Sequence, residues 1–583
     1  MMQNRSFVRK VVYISLMAVL LLPLAVLSQP STNKRNGGVL AQKREQFELS
    51  QSDLGEIDPA SETMKLATMG MQGVACAILW NRANELQKKE SWDELAAVLK
   101  QISKLQPHFI NVWIFQSWNQ SYNVSVEFDD YKYRYHWVKK GVDYLIEGTR
   151  YNQRDVRLLW HLGWTFGHKF GRSDEKVQFR RLFHADRDFH EKLPFNLNDP
   201  SLELRDWQGN IDNWLVSRET FLRAQRLAES PRGSKRLGQS ELLFYSEAPM
   251  QLMAYATAIE EEGCFEEEAG AKWKQAGEDW DDYGDRLINT SASGIAIRLG
   301  HLDAENAKVD RLVAELDAVV GEVRKQVVAE RLAELSDEER ELFNAETDSL
   351  PVARQYDQKT LRAKIEPNFE GLADRLSPEQ RKQAKRLFTQ LADQQSRASF
   401  TRLYRQQVNY DYWKTRTLAE QTQTMVDARR LVWEADRLYH QEAKLASTVD
   451  PVTGQTQLGA KEAYEEAFEK WAETYHKYPI MLDNPDAEDL RHHITAYAEV
   501  LGHLEQEMPA PFVLQMVLDM FDELGQRRAG IDWEVVAQAI ADGRYDMPDA
   551  NSASDPRSAT PHPPTVSEED VPAAETPEES PSP

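Results

Sequence analysis

Two imidazoles and two carboxylates fall together at His184-Ala-Asp-Arg-Asp-Phe-His190. Nitrogen and oxygen donors of this kind bind zinc or iron. A metal-dependent hydrolase built from His184, Asp186, Asp188 and His190, within the stretch 184–215, is therefore one chemistry to consider. The spacing argues for the plainer reading, an exposed polar stretch: on a helix His184 and Asp188 share a face, while His190 lies nearly opposite His184. A second run, Asp279-Trp-Asp-Asp-Tyr-Gly-Asp285, clusters carboxylates as calcium loops do. The bidentate Glu that such a loop needs would fall at Asn289 or Thr290, so the run reads as a solvated helix end. No G-x-S-x-G, H-E-x-x-H or P-loop occurs. The chain is accordingly read as non-enzymatic, with no metal and no cofactor. His161, His168 and the pair His492-His493 are read as structural or solvated.

The third constellation is an aromatic and basic band: Trp113, Trp118, Tyr122, Tyr131, Tyr133, Tyr135 and Trp137, continuing to Trp160, Trp164 and Phe166. Aromatics at helical spacing usually fill a core, and most of the band is expected to do so. A part left exposed would grip a protein or peptide partner, because aromatic side chains dominate binding hot spots. Tyr122, Tyr131 and Arg134, beside an insertion around Ser125 to Tyr131, are the members expected on such a surface.

The elements that must carry these residues are helices. Gly and Pro number 27 and 25 in 583 residues, too few for a turn-rich all-β chain. A net charge of −24 repels phosphates, so no nucleic-acid partner is expected. Cys76 and Cys264 are too few for a disulfide framework or a Cys-rich zinc site. Both fall in apolar helical patterns and are read as small buried residues.

From Cys76 to Pro107, Leu79, Ala83 and Leu86 mark one apolar helical face, and Leu95, Leu99 and Ile102 mark a second. Glu90-Ser91-Trp92 supplies the turn between them, and Pro107, lacking an N–H, supplies the stop. Leu159, Leu162, Gly163 and Phe166 repeat the first-helix pattern. Met253, Ala256, Ala269, Trp273 and Ala276 flank a turn at Gly263. Ala467, Trp471, Thr474 and Pro479 repeat the second-helix pattern. These stretches resemble degenerate tetratricopeptide (TPR) units, antiparallel helix pairs of about 34 residues. The resemblance covers roughly half the chain; residues 108–152 and 186–210 depart from it. It implies an all-α fold, a degenerate TPR-like α-solenoid of helix pairs whose concave surface holds other proteins. The whole chain also resembles predicted membrane-anchored envelope proteins of planctomycete-type bacteria, some of which carry an "iron-responsive element" name. No residues here support RNA or iron binding.

Between the repeat-like regions, Val309, Leu312, Leu316, Val319 and Val323 form a short coiled-coil-like seam within 302–335, which favours one long packed helix. Ser336 with Glu339, and Ser377 with Gln380, read as capping boxes, with Pro378 at the favoured first helical position. At the N-terminus Arg5, Arg9 and Lys10 precede an apolar run from Val11 to Leu27. This is the pattern of a signal-anchor or a cleaved signal peptide, and it places the bulk of the chain outside the cytoplasm.

The resulting organisation is a signal-anchor or signal peptide (1–28), a linker (29–60), TPR-like repeats with insertions (61–290), long charged helices (291–400), a C-terminal TPR-like region (401–546) and a disordered acidic Pro/Ser/Glu tail (547–583). The function expected is a membrane-anchored protein–protein interaction scaffold. The alternatives are a cell-envelope enzyme and a structural protein self-associating into homo-oligomers through the 302–335 seam.

Overall fold

A computed structural model describes residues 72–545, with breaks at 232, 234, 266, 293, 348–349, 484, 522–527 and 529–532, and scattered positions between 11 and 61. The expected anchor, linker and acidic tail lie outside the described residues apart from those scattered positions. Among the described residues, no helix is long and apolar enough to cross a membrane. The fold is all-α, with two antiparallel pairs of two-residue strands as its regular β-structure among the described residues. The chain divides into two compact units, Met1–Leu252 and Met253–Pro583.

The first unit opens with the helix pair read from the sequence, α1 (Gln72–Lys88) and α2 (Trp92–Leu105). Cys76, Ala83, Leu86, Leu95, Leu99 and Ile102 are buried together, with Leu79 packed against them. Small Ala83 lets the helices approach, and α2 stops two residues before Pro107. The Pro107 carbonyl then accepts from Trp113 Nε1 and Asn152 Nδ2, both at 2.8 Å. Next come α3 (Ile110–Trp118), a π-helical turn (Asn119–Val124), a short 3₁₀ turn (Ser125–Glu127) and α4 (Tyr131–Tyr151). Asp130 caps α4 through the Lys132 N–H at 2.7 Å.

The stretch with Leu159, Leu162, Gly163 and Phe166 is α5 (Val156–Gly171), capped by Asp155. Its main partner is not the helix that follows. α6 (Lys176–Ala185), α7 (Arg187–His190) and an irregular loop intervene, and α5 packs chiefly on α8 (Asn213–Glu229). Glycine explains the choice. A Cβ on Gly163 would meet the Phe221 ring at 3.1 Å, and one on Gly171 would meet Trp214 at 2.2 Å. Ser217 Oγ donates to the Gly163 carbonyl at 2.6 Å across the same contact. Gly171→Ala should therefore destabilise this unit by about 1–3 kcal/mol through overpacking against a rigid indole. Thermal unfolding of the variant checks this; an unchanged midpoint would show that α8 can retreat. The unit ends within α9 (Glu241–Glu261), which contains the division between the units.

The stretch flanking Gly263 lies in the second unit. The end of α9 turns at Gly263, whose φ of +87° suits glycine, into α10 (Glu267–Asp285). Met253, Ala256, Ala269, Trp273 and Ala276 are all buried, and Trp280 Nε1 reaches Met253 Sδ at 2.9 Å. Cys264 departs from the reading: it sits half-buried in the turn, not on a buried helical face, and both cysteines are free thiols. After β1 (Ile288–Asn289) and β2 (Ala296–Ile297) comes α11 (Leu302–Ala333). α12 (Asp337–Asn344), α13 (Val352–Ile365) and α14 (Phe369–Ala373) lead to α15 (Pro378–Gln407), which packs back along α11. Both capping boxes form as read, with Pro378 in the first turn. The seam finds its partner inside the chain: Leu316, Val320 and Val327 bury against Ala384, Leu387 and Leu391 of α15. Val309, Leu312, Val319 and Val323 of the seam pack half-buried against the same cluster.

α16 (Tyr410–Glu420) packs on α10, and α17 (Gln423–His440) pairs with α18 (Ala460–Lys477). A loop carrying β3 (Thr448–Val449) and β4 (Thr456–Gln457) joins that pair. Ala467, Trp471 and Thr474 are buried, and Pro479 follows two residues past the end of α18. α19 (Pro485–His503), α20 (Gln515–Asp519) and α21 (Trp533–Ala541) complete the described chain.

Candidate functional site

The histidine and aspartate cluster disperses into separate structural roles. Asp186 accepts from Lys139 Nζ at 2.7 Å and caps α7 through the Phe189 N–H at 3.2 Å. His184 Nε2 turns instead to Asp212 Oδ2 at 3.2 Å. His190 is buried against the Phe183 ring, and Asp188 is exposed. In the acidic run, Asp281 pairs with Lys414 at 2.6 Å, and Asp285 pairs with His301 at 2.9 Å. Among the described residues, no group of three or more His, Cys, Asp or Glu is arranged to hold a metal ion.

The aromatic band separates into core and surface. Trp113, Tyr135, Trp160 and Phe166 are buried. Of the rest, Trp118, Tyr122 and Trp164 join Trp80, Phe109, Phe115 and His168 in a continuous ladder of rings that crosses α1, α3, the π-turn and α5, while Tyr133 and Trp137 pack with Phe128. Trp80 meets Phe109 at 5.9 Å between centroids and Phe115 at 6.2 Å; Phe115 meets Trp118 at 6.4 Å. Trp118 stacks on Tyr122 at 6.3 Å, Tyr122 on Trp164 at 5.8 Å, and Trp164 on His168 at 4.4 Å. Trp118 is 44% exposed and Phe109 37%, so the ladder presents ring area to solvent rather than sealing a core.

Trp118 and Tyr122, four positions apart where α3 runs into the π-turn, share one face as residues at that spacing do, and Tyr122 there lines up with Trp164. Small residues let α4 close behind the π-turn: a Cβ on Gly141 would stand 2.6 Å from the Ser117 carbonyl. Gln116, Ser117 and Asn119 are buried on this segment, and neither amide atom of Gln116 has a hydrogen-bond partner among the described residues.

Burial, then the cations of Arg172 and Lys169, lower the His168 pKa, which favours the neutral ring. Burial also pushes the Tyr122 phenol upward. The Tyr122 hydroxyl and His168 Nδ1 share a hydrogen bond of 2.8 Å. Lys169 Nζ lies 4.7 Å from the Tyr122 ring centroid and fixes its other side.

The three residues expected on one partner surface are placed in three settings. Tyr122 is a rung of the ladder, half-buried, with its hydroxyl engaged. Tyr131, 38% exposed, starts α4. Arg134 is turned inward: its Nε donates to the Phe128 carbonyl at 2.5 Å and its guanidinium pairs with Glu175. The structure thus brings Tyr122 together with Trp80, Phe109, Phe115, Trp118, Trp164 and His168, and not with Tyr131 or Arg134. Trp80, Phe109, Phe115 and the stacking role of His168 were missed. Trp164 with His168, and Trp118 with Tyr122, each at a spacing of four, carried a signal; the pairing of Tyr122 with Trp164 did not.

Compared with known proteins, the chain matches no family model, no curated protein and no solved structure.

Proposed function

We propose that this protein is a non-catalytic helical scaffold, a degenerate TPR-like array of helix pairs that holds segments of other proteins. The ladder is the observation that carries the proposal: a row of half-exposed rings on rigid helices, two of its members more than a third exposed. Extended peptide segments lie along such rows, each ring burying apolar area at little cost in side-chain entropy. On the same reading, the basic-then-apolar N-terminus tethers this face to a membrane and leaves the bulk of the chain extracytoplasmic.

The test is recovery of partners on full-length wild-type protein against Trp118→Ala and Trp118→Ala/Trp164→Ala variants. Circular dichroism first establishes that the variants remain folded. Truncating a central aromatic anchor costs about 2 kcal/mol of binding, roughly thirtyfold in affinity. Partners recovered by the wild type should be depleted to that degree, in graded order. Equal recovery on all three would remove the ladder from the account.

A further inference from the structure

The second unit carries a half-open cavity of about 370 Å³ at the turn between α9 and α10, against α17 and α19. At its base is Glu260, 5% exposed. One carboxyl oxygen, Oε1, accepts from Trp273 Nε1 at 2.9 Å; the other, Oε2, is buried with no hydrogen-bond partner among the described residues. Asp436 lines the wall, accepting from the Tyr464 hydroxyl and facing His493 Nδ1 at 3.3 Å. Phe265 and Trp433 form an aromatic corner, their centroids 6.2 Å apart. Gly263 is what lets the turn lie on the Trp433 ring, since a Cβ there would come within 2.7 Å of it. Exposed Glu261 adds a further acid at the rim. The lining guanidinium, Arg429, is committed to Glu420, donating from Nη2 at 2.5 Å and from Nε at 3.3 Å.

We infer that this cavity binds an organic cation, an ammonium or guanidinium on an apolar stem, its charge met by Glu260 and Asp436 and its stem lying on Trp433 and Phe265. An unpartnered carboxyl oxygen at the base of an aromatic-walled, acid-lined cavity accepts a cationic donor. The same chemistry comes from a free amine or from a Lys or Arg side chain of a partner.

Binding carries a proton signature. Burial first, and the nearby Glu420 carboxylate second, push Glu260 up to about 8, against the opposing pull of Arg429, the Trp273 N–H and Arg416. Near neutral pH Glu260 therefore holds a proton, which an arriving cation displaces. The other titratable groups on the lining are Glu261, Asp436, His492 and His493.

The experiment is calorimetric titration of the full chain with agmatine and with butylamine, run in two buffers of different ionisation enthalpy. Glutarate and butanol are the controls. Saturable one-to-one binding of the amines is expected, with net proton release and an affinity that rises between about pH 6 and pH 9. Asp436→Asn and Glu260→Gln, both near-isosteric, should each weaken binding about tenfold or more. Proton release should vanish in Glu260→Gln. A lysine-containing peptide that binds more tightly than butylamine and competes with it would assign the cation to a partner chain; a weaker peptide would assign it to a free amine. Binding unchanged in both variants, binding of glutarate in preference to the amines, or no saturable heat up to about 10 mM amine would overturn the inference. None of these outcomes depends on the aromatic ladder of the first unit.

Discussion

Replacing Glu420 by alanine is expected to destabilise the second unit by about 3–5 kcal/mol. Glu420 is 1% exposed at the end of α16 and receives two guanidinium groups. Arg429 binds it through two nitrogens, and Arg416 Nε lies 3.4 Å away. Both cations are themselves pressed on aromatic faces, Arg429 on Trp471 at 4.7 Å and Arg416 on Trp273 at 5.3 Å. They cannot withdraw to water without giving up that packing, so the substitution leaves positive charge buried and uncompensated. Glu420→Gln, which keeps the shape and loses the charge, should recover only a minor part of the loss. Urea unfolding followed by near-ultraviolet circular dichroism reads both variants. A change below about 1 kcal/mol in the alanine variant would mean that water reaches the cluster. Removing Glu420 also takes away the second cause of the raised Glu260 pKa, which should fall.

Asp212→Ala should cost the first unit a similar amount, about 3–5 kcal/mol. Asp212 is fully buried and does two jobs at once. It caps α8 by accepting from the Trp214 N–H at 2.8 Å and the Leu215 N–H at 3.3 Å. It also meets Arg180 at 3.0 Å and His184 at 3.2 Å. Burial by itself would raise its pKa; the Arg180 charge, His184 and the Trp214 N–H outweigh burial and hold it below the ordinary aspartate value. A carboxylate depressed in the folded state contributes its stability in full above the unfolded pKa of about 4 and loses it as the pH falls through the folded value. Stability of the wild type should therefore drop on acidification below about pH 4, and Asp212→Asn should show a shallower drop over that range. Parallel slopes for the two proteins would mean that Asp212 does not carry this part of the acid sensitivity.

Much of the fold was legible because local signals and burial agree. Leu95, Leu99 and Ile102 recur at helical spacing and are buried at that spacing. Ser336 and Ser377 cap helices because a hydroxyl with Glu or Gln three residues later satisfies two N–H groups at once. What escaped was non-local. Nothing near Gly163 announces that its helix will bypass α6 for α8, because the reason lies in Phe221, Trp214 and Ser217. The ladder was legible in composition and not in geometry. The aromatic-rich stretch held three of its rungs, Trp118, Tyr122 and Trp164, but Arg134 satisfies itself on Glu175 and Phe128, and Tyr122 meets Trp164 only through packing. The cavity of the second unit was missed because Glu260, Asp436 and the His492-His493 pair lie far apart in sequence and meet only through packing.

The central claim, that the half-exposed ladder holds segments of other proteins, is tested most directly by photo-crosslinking in intact cells. A benzophenone amino acid is placed at Trp118 of the full chain, with the equally aromatic and more exposed Tyr356, 73% accessible, as the control position. The account predicts discrete adducts at position 118 that map by mass spectrometry to short segments of a few proteins, diminished when Trp164 is also changed to alanine. Adducts at position 118 no more abundant or specific than those at position 356 would contradict it.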